Sequence, residues 1–138
     1  MRYWLFGLIA CLLLSPSPIW AAEIDTALAT LQRVGPKAAG AADAASAWQT
    51  LSQAKASELP AMLAAIDDSN PLAANYIRSA VEAIVDRQAD QLPADRLEQF
   101  ILTMDNSPRA RRFAYELLLR ADPEAEARLL PKMLNDPS

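Results

Sequence analysis

The chain has 138 residues, 13 basic against 17 acidic side chains, a net charge of −4, one cysteine and no histidine. That length holds a single modest domain, and the acidic balance gives no counterion-release affinity for nucleic acid, so no nucleic-acid partner is expected. Without histidine, and with Cys11 inside an N-terminal apolar run, Ser-His, Cys-His and zinc sites are excluded, and no disulfide can form.

Met1 to about Ala21 reads as a secretory signal. Arg2 supplies the positive start and Tyr3 to Leu14 the apolar run. Ser15-Pro16-Ser17-Pro18 breaks that run, and Ile19-Trp20-Ala21 offers a small residue for cleavage. The run is shorter than the roughly 20 residues of a membrane-spanning helix, so no stable span is expected after cleavage near Ala21. The alternatives are an anchor retained through Ile19 and Trp20, or a lipid on Cys11. Leu8-Ile9-Ala10-Cys11 resembles a bacterial lipobox, but only ten residues precede the cysteine and Leu12-Leu13-Leu14 continues the run. The expected location is periplasmic or secreted, in a bacterium.

Beyond the signal the pattern is helical throughout, with no sustained alternation of period two and no hairpin turn. Residues 22–56 form an N-terminal cap and an alanine-rich linker. Ile24, Leu28 and Leu31 place a helix over 24–34, closed by Gly35 as C-terminal cap and blocked by Pro36. A linker to about Gly40 precedes a second helix over 43–54 with Ala44, Trp48 and Leu51 on one stripe.

Residues 57–138 carry a repeat. Leu59, Met62, Leu63 and Ile66 return as Leu97, Phe100, Ile101 and Met104, and start again as Leu130, Met133 and Leu134. Ser57 is expected to cap the third helix. Each copy runs into a proline turn, at Asp67–Pro71, Asp105–Pro108 and Asn135–Pro137. Asn70 with Pro71 opens a fourth helix whose stripe is Ala73, Tyr76, Ile77, Ala80, Val81, Ile84 and Val85. A fifth starts near Pro93. Pro108 opens a sixth, with Ala110, Phe113, Ala114, Leu117, Leu118 and Ala121. Tyr76 with Phe113, Ile77 with Ala114, Ala80 with Leu117 and Val81 with Leu118 recur at one offset, and the large–small exchanges predict interlocking packing. A seventh helix from Asp122-Pro123 to Leu134 contains Pro131, which removes a hydrogen bond.

A period of about 35 residues lies in the range of α-solenoids. The segment Leu129-Leu130-Pro131-Lys132-Met133-Leu134-Asn135-Asp136-Pro137-Ser138 resembles the first helix and turn of a HEAT repeat. Leu59-Pro60-Ala61-Met62-Leu63 and Ile77-Arg78-Ser79-Ala80-Val81 match its two halves more loosely. The resemblance covers about Ser57 to Ser138. It departs from the family in the longer first turn and in the placement of Arg111-Arg112. The expected fold is therefore all-α, a short right-handed solenoid of antiparallel helical hairpins, HEAT-like, behind a signal peptide. The resemblance implies a scaffolding or binding role.

Chemistry is sparse. With Gly35 and Gly40 the only glycines after cleavage, there is no phosphate-cradling loop or nucleophile elbow. Asp67-Asp68-Ser69-Asn70 lacks calcium-loop spacing and reads as a capped polar turn. Asp122, Glu124 and Glu126 suit a helix start. No catalytic, cofactor-binding or metal-ligating residue is expected. Arg109, Arg111 and Arg112 stand out, because positive charge at a helix N-terminus is unfavourable without a partner. Pairing with Asp67, Asp68 or Asp105, in a ladder like that of HEAT-type repeats, is the first explanation. Exposure to solvent and binding of an anionic partner are the others. Trp48 reads as core packing or as an aromatic anchor.

The functional expectation is a non-catalytic protein–protein interaction or scaffold module that is exported. One alternative is the N-terminal part of a longer HEAT-repeat protein, suggested by the unfinished third repeat. Its apolar face of Leu130, Met133 and Leu134 also suggests self-association. An enzyme working with carboxylates alone is the remaining alternative.

Overall fold

The computed structural model describes residues 18–36, 39–134 and 136. The signal segment before Pro18, with Cys11, and the last turn at Asn135 and Pro137 lie outside the described residues. The described residues form seven α-helices and no strand: α1 (Pro18–Gln32), α2 (Ala41–Ser52), α3 (Leu59–Ala64), α4 (Pro71–Arg87), α5 (Ala94–Leu102), α6 (Pro108–Ala121) and α7 (Ala125–Met133). Two 3₁₀ turns, Ala56–Glu58 and Ala89–Gln91, lead into α3 and α5. None of these helices is long and apolar enough to cross a membrane.

Packing runs along the chain. α1 lies on α2, and both meet α4. α3 touches α4, α5 and α6; α5 lies on α6; α7 closes against both α5 and α6. One continuous core threads through all seven helices. Its middle is fully enclosed by Leu59, Met62 and Leu63 of α3, Ile77, Ala80 and Val81 of α4, and Ala114, Leu117 and Leu118 of α6. The large–small pairs expected between the α4 and α6 stripes are thus all interior.

Local sequence explains the starts. Asn70 Oδ1 accepts the Ala73 N–H at 3.1 Å, and Pro71 occupies the first helical position, where no donor is lost. Ser107 and Pro108 repeat the device, with the Ala110 N–H donating to Ser107 Oγ at 3.3 Å. The stops are less regular. Gly40 rather than Gly35 takes the left-handed backbone, φ 77°, and it precedes α2 instead of ending α1. Ser57 does not cap α3; the 3₁₀ turn comes first, and its hydroxyl turns to Glu58. α1 starts before the expected Ile24, but among the side chains described from Trp20 onward the first buried one is Ile24.

Four stripe positions are exposed. Met104 is 51% exposed, because α5 stops at Leu102 and the chain turns away. In α7 the core takes Ala125 and Leu129 and leaves Leu130 50% and Leu134 80% exposed, with Met133 half-buried. The third copy of the stripe is therefore rotated relative to the first two. Ala121, expected on the α6 stripe, is also exposed.

Polar side chains tie segments more than thirty residues apart. Asn70 Nδ2 donates to the carbonyls of Gln32 (2.9 Å) and Val34 (3.1 Å) at the end of α1. Arg87 donates to the carbonyls of Ser52 (2.6 Å) and Ala54 (2.9 Å), and Gln88 both donates to Ala54 and accepts the Ala56 N–H. These bonds satisfy carbonyls that the end of α2 leaves without partners. Arg96 does the same for Ser57, at 2.6 Å.

Leu63→Ala should lower unfolding free energy by about 2–5 kcal/mol, whereas Leu130→Ala should shift it by less than about 0.5 kcal/mol. Urea denaturation followed by circular dichroism measures both. Equal losses would contradict the rotated register of α7.

Candidate functional site

The three arginines at the head of α6 leave the helix in three directions, since successive residues are about 100° apart. Arg111 points inward and is 4% exposed. Its Nε donates to the Ile101 carbonyl at 2.6 Å, and its terminal nitrogens clasp both carboxylate oxygens of Asp136. Arg109 reaches back to the turn before α4, with Nε 3.0 Å from Asp68 Oδ1. Arg112 stays in solvent, 83% exposed, beside Glu116 one turn along. Pairing with an aspartate of a neighbouring turn therefore describes Arg109. Arg111 chooses Asp136 instead, and its burial withdraws it from the surface. Asp67 is taken by its own turn: its carboxylate accepts the Ser69 N–H (2.8 Å) and hydroxyl (2.6 Å).

Trp48 is half-buried and packs against the core from α2. It lies far along the chain from the arginines and shares no described contact with them.

An arginine that sequence reasoning passed over is the better organised one. Arg78 of α4 lies with its guanidinium 4.3 Å from the Phe113 ring centroid. Glu82 holds its Nε at 3.3 Å and Glu116 its terminal nitrogen at 3.1 Å. The Glu82 pairing was legible as an i, i+4 spacing. The stacking on Phe113 was not, because it joins α4 to α6.

Two concavities bear on function. An open groove of about 990 Å³ runs over α1 and α2. Its floor includes Ala27 and Ala47, and its hydroxyls, Thr26, Thr30, Ser46 and Thr50, all donate to carbonyls four residues earlier in their own helices. A smaller pocket of about 240 Å³ opens between α4 and α6, lined by Ile66, Ala74, Asn75, Arg78, Arg109 and Phe113. Among the described residues no group of three or more Cys, Asp or Glu is placed to hold a metal ion.

Carboxylate titration follows these contacts. Hydrogen bonds from the Ser69 side chain and backbone hold Asp67 below the usual range. Glu98 is lowered by hydrogen bonds from Lys132 and Arg128, both at 3.1 Å, which fasten α7 to α5. Arg128 is raised by Asp122 first and Glu98 second. Burial raises the Tyr115 phenol, and the Glu126 charge adds to it.

No protein-family model matches the chain, and no match is found among curated proteins or solved structures.

Two measurements check the electrostatics. Arg111→Met removes the buried guanidinium that binds both the Ile101 carbonyl and Asp136 and should destabilise by about 3–5 kcal/mol, whereas Arg112→Met should change stability by less than about 1 kcal/mol. Glu98 has a folded pKa below its unfolded one, so its contribution is present above the unfolded value and is lost as pH falls through the folded value. A carbon-detected NMR titration should place the Glu98 midpoint below that of an unstructured glutamate. The difference should shrink in 1 M salt, because the Arg128 and Lys132 side chains are exposed.

Proposed function

We propose that this chain is an exported, non-catalytic interaction module built as a short HEAT-like α-solenoid. The observation that carries the reading is the use made of polar side chains. Asn70, Arg87, Gln88 and Arg96 bond to backbone 32–39 residues away. The buried polar residues, Ser52 and Arg111, are likewise occupied by backbone or by Asp136. Polar groups spent on joining one helical layer to the next build a surface. What those ties leave on the outside is charge in small pairs and a few large apolar side chains: Trp20, Leu72, Met104, Leu130 and Leu134.

Export is the second part of the proposal. The apolar N-terminal run supports it, as does the arrangement of α1. A mature chain starting at Ala22 would lose Trp20, which is half-exposed, and would keep every buried residue from Ile24 onward.

Two experiments test these readings. Photo-crosslinking residues placed at Leu72 and at Met104 in the native host should capture the same defined protein, while a position on α1 serves as comparison. A hydrolytic activity abolished by a single Asp or Glu substitution would overturn the non-catalytic reading. The chain from Ala22 should unfold within a few degrees of the full-length chain, as expected for loss of less than about 1 kcal/mol. Native protein carrying its first 21 residues, seen by intact mass, would overturn export by cleavage.

A further inference from the structure

We propose that α7 is an acid-released strap. At neutral pH it covers one end of the α5–α6 pair, and protonation of the carboxylates that fasten it lets it come away while the rest of the stack stays folded.

Two kinds of tie hold this molecule together. Between the earlier layers the tying side chains end on backbone carbonyls: Asn70 on Gln32 and Val34, Arg87 on Ser52 and Ala54, Arg96 on Ser57. A peptide carbonyl accepts hydrogen bonds without titrating, so acid leaves these ties in place. α7 is fastened by carboxylates instead. On the α5 side, Glu98 accepts from Lys132 Nζ and from an Arg128 terminal nitrogen, each at 3.1 Å. Past the end of α7, Asp136 is clasped by Arg111 of α6, their side chains 7% and 4% exposed. At the entry, Asp122 accepts from Arg128 at 2.9 Å and from the Glu124 N–H at 3.1 Å. Two further ionisable groups face the strap. Tyr115 of α6 feels the Glu126 charge, and Asp95 of α5 shares a surface hollow with Glu98. Neither is a cation, and neither takes over when Glu98 and Asp136 lose their charge.

Apolar burial does little to hold α7 by itself. It encloses only Ala125 and Leu129, against seven side chains of α4. Pro131 deprives it of one hydrogen bond, and nine residues are too few for a stable isolated helix. Ion pairs also cross from α6 towards α4, Glu116 with Arg78 and Arg109 with Asp68. There the enclosed side chains of α3, α4 and α6 hold the layers together without them.

The direction of the switch follows from linkage. Hydrogen bonds from Lys132 and Arg128 hold the Glu98 carboxyl below its usual range. With α7 away it returns to that range, so the open form binds more protons and falling pH favours opening. The fastening is fully present above the ordinary carboxylate range, at about pH 4, and is lost as pH falls through the lowered value. A protonated Asp136 leaves the Arg111 guanidinium buried without its counter-charge, which opening relieves.

Amide hydrogen exchange of the full chain, read by NMR as protection factors from about pH 7 down to about pH 3, tests the strap. Below about pH 4 the opening constant of α7 should rise about tenfold per pH unit for each carboxylate released, while α4 amides keep their neutral protection. Glu98→Gln removes one titrating group. It should increase α7 opening at neutral pH and flatten the pH dependence by about tenfold per unit, whereas a merely structural contact would move the level and leave the slope. Asp136→Asn should increase α7 opening at neutral pH by about tenfold or more, with α4 protection unchanged. Loss of α7 and α4 protection together at one pH would overturn the proposal. So would an unchanged slope in Glu98→Gln, or an Asp136→Asn chain in which α7 stays closed or α4 opens with it.

Discussion

The six residues of α3 occupy the centre of this molecule. A helix of under two turns has no stability of its own in water, because the cost of nucleation is spread over too few hydrogen bonds. α3 exists because Leu59, Met62 and Leu63 are wholly enclosed by α4, α5 and α6. The dependence is mutual. α5 has nine residues and a strongly one-sided apolar face, and its Leu97 and Ile101 need the same enclosure. The longer helices, α4 and α6, provide the walls against which the short ones form. Stability is thus held by burial between layers and little by any single helix.

Apolar burial alone would let such short helices slide, since it has no direction. The polar edges remove that freedom. Asn70 binds its own helix start and the end of α1 with one side chain. Arg87 and Gln88 close the end of α2. Arg111 joins the end of α5 to Asp136. Each of these groups meets carbonyls or a carboxylate that the short helices and turns would otherwise leave unsatisfied, so register and hydrogen-bond satisfaction are obtained together. On the outer face of α1 and α2 the hydroxyls of Thr26, Thr30, Ser46 and Thr50 donate to their own backbone, which leaves Glu23, Arg33 and Asp43 as the charged lining of the groove there.

The face of α4 and α6 differs. There the side chains at the surface pair with one another: Arg78 with Glu82 and Glu116, Arg112 with Glu116, Arg109 with Asp68. Ion pairs in solvent hold positions without contributing much stability. Phe113 adds a fixed aromatic plane under one of them.

Local chemistry was readable directly from the residues. Side chains three and four apart share a helix face whatever the rest of the chain does, so the stripes of α3, α4 and α6, the Asn70-Pro71 cap and the helix start at Pro108 could be placed before any tertiary contact was known. The sequence determined the all-α class, the breaks between helices and most of the core. It could not determine which way each helix rotates about its axis at the ends of the stack. That rotation sent Leu129 inward in place of Leu130, while the early stop of α5 exposed Met104. It also separated Arg109, Arg111 and Arg112, which look alike in sequence, into a surface pair, a buried clasp and a solvated charge. Arg78 over Phe113 was equally hidden. The physical reason is the same in each case: these fates depend on neighbours that lie ten to forty residues away and are brought into contact only by packing.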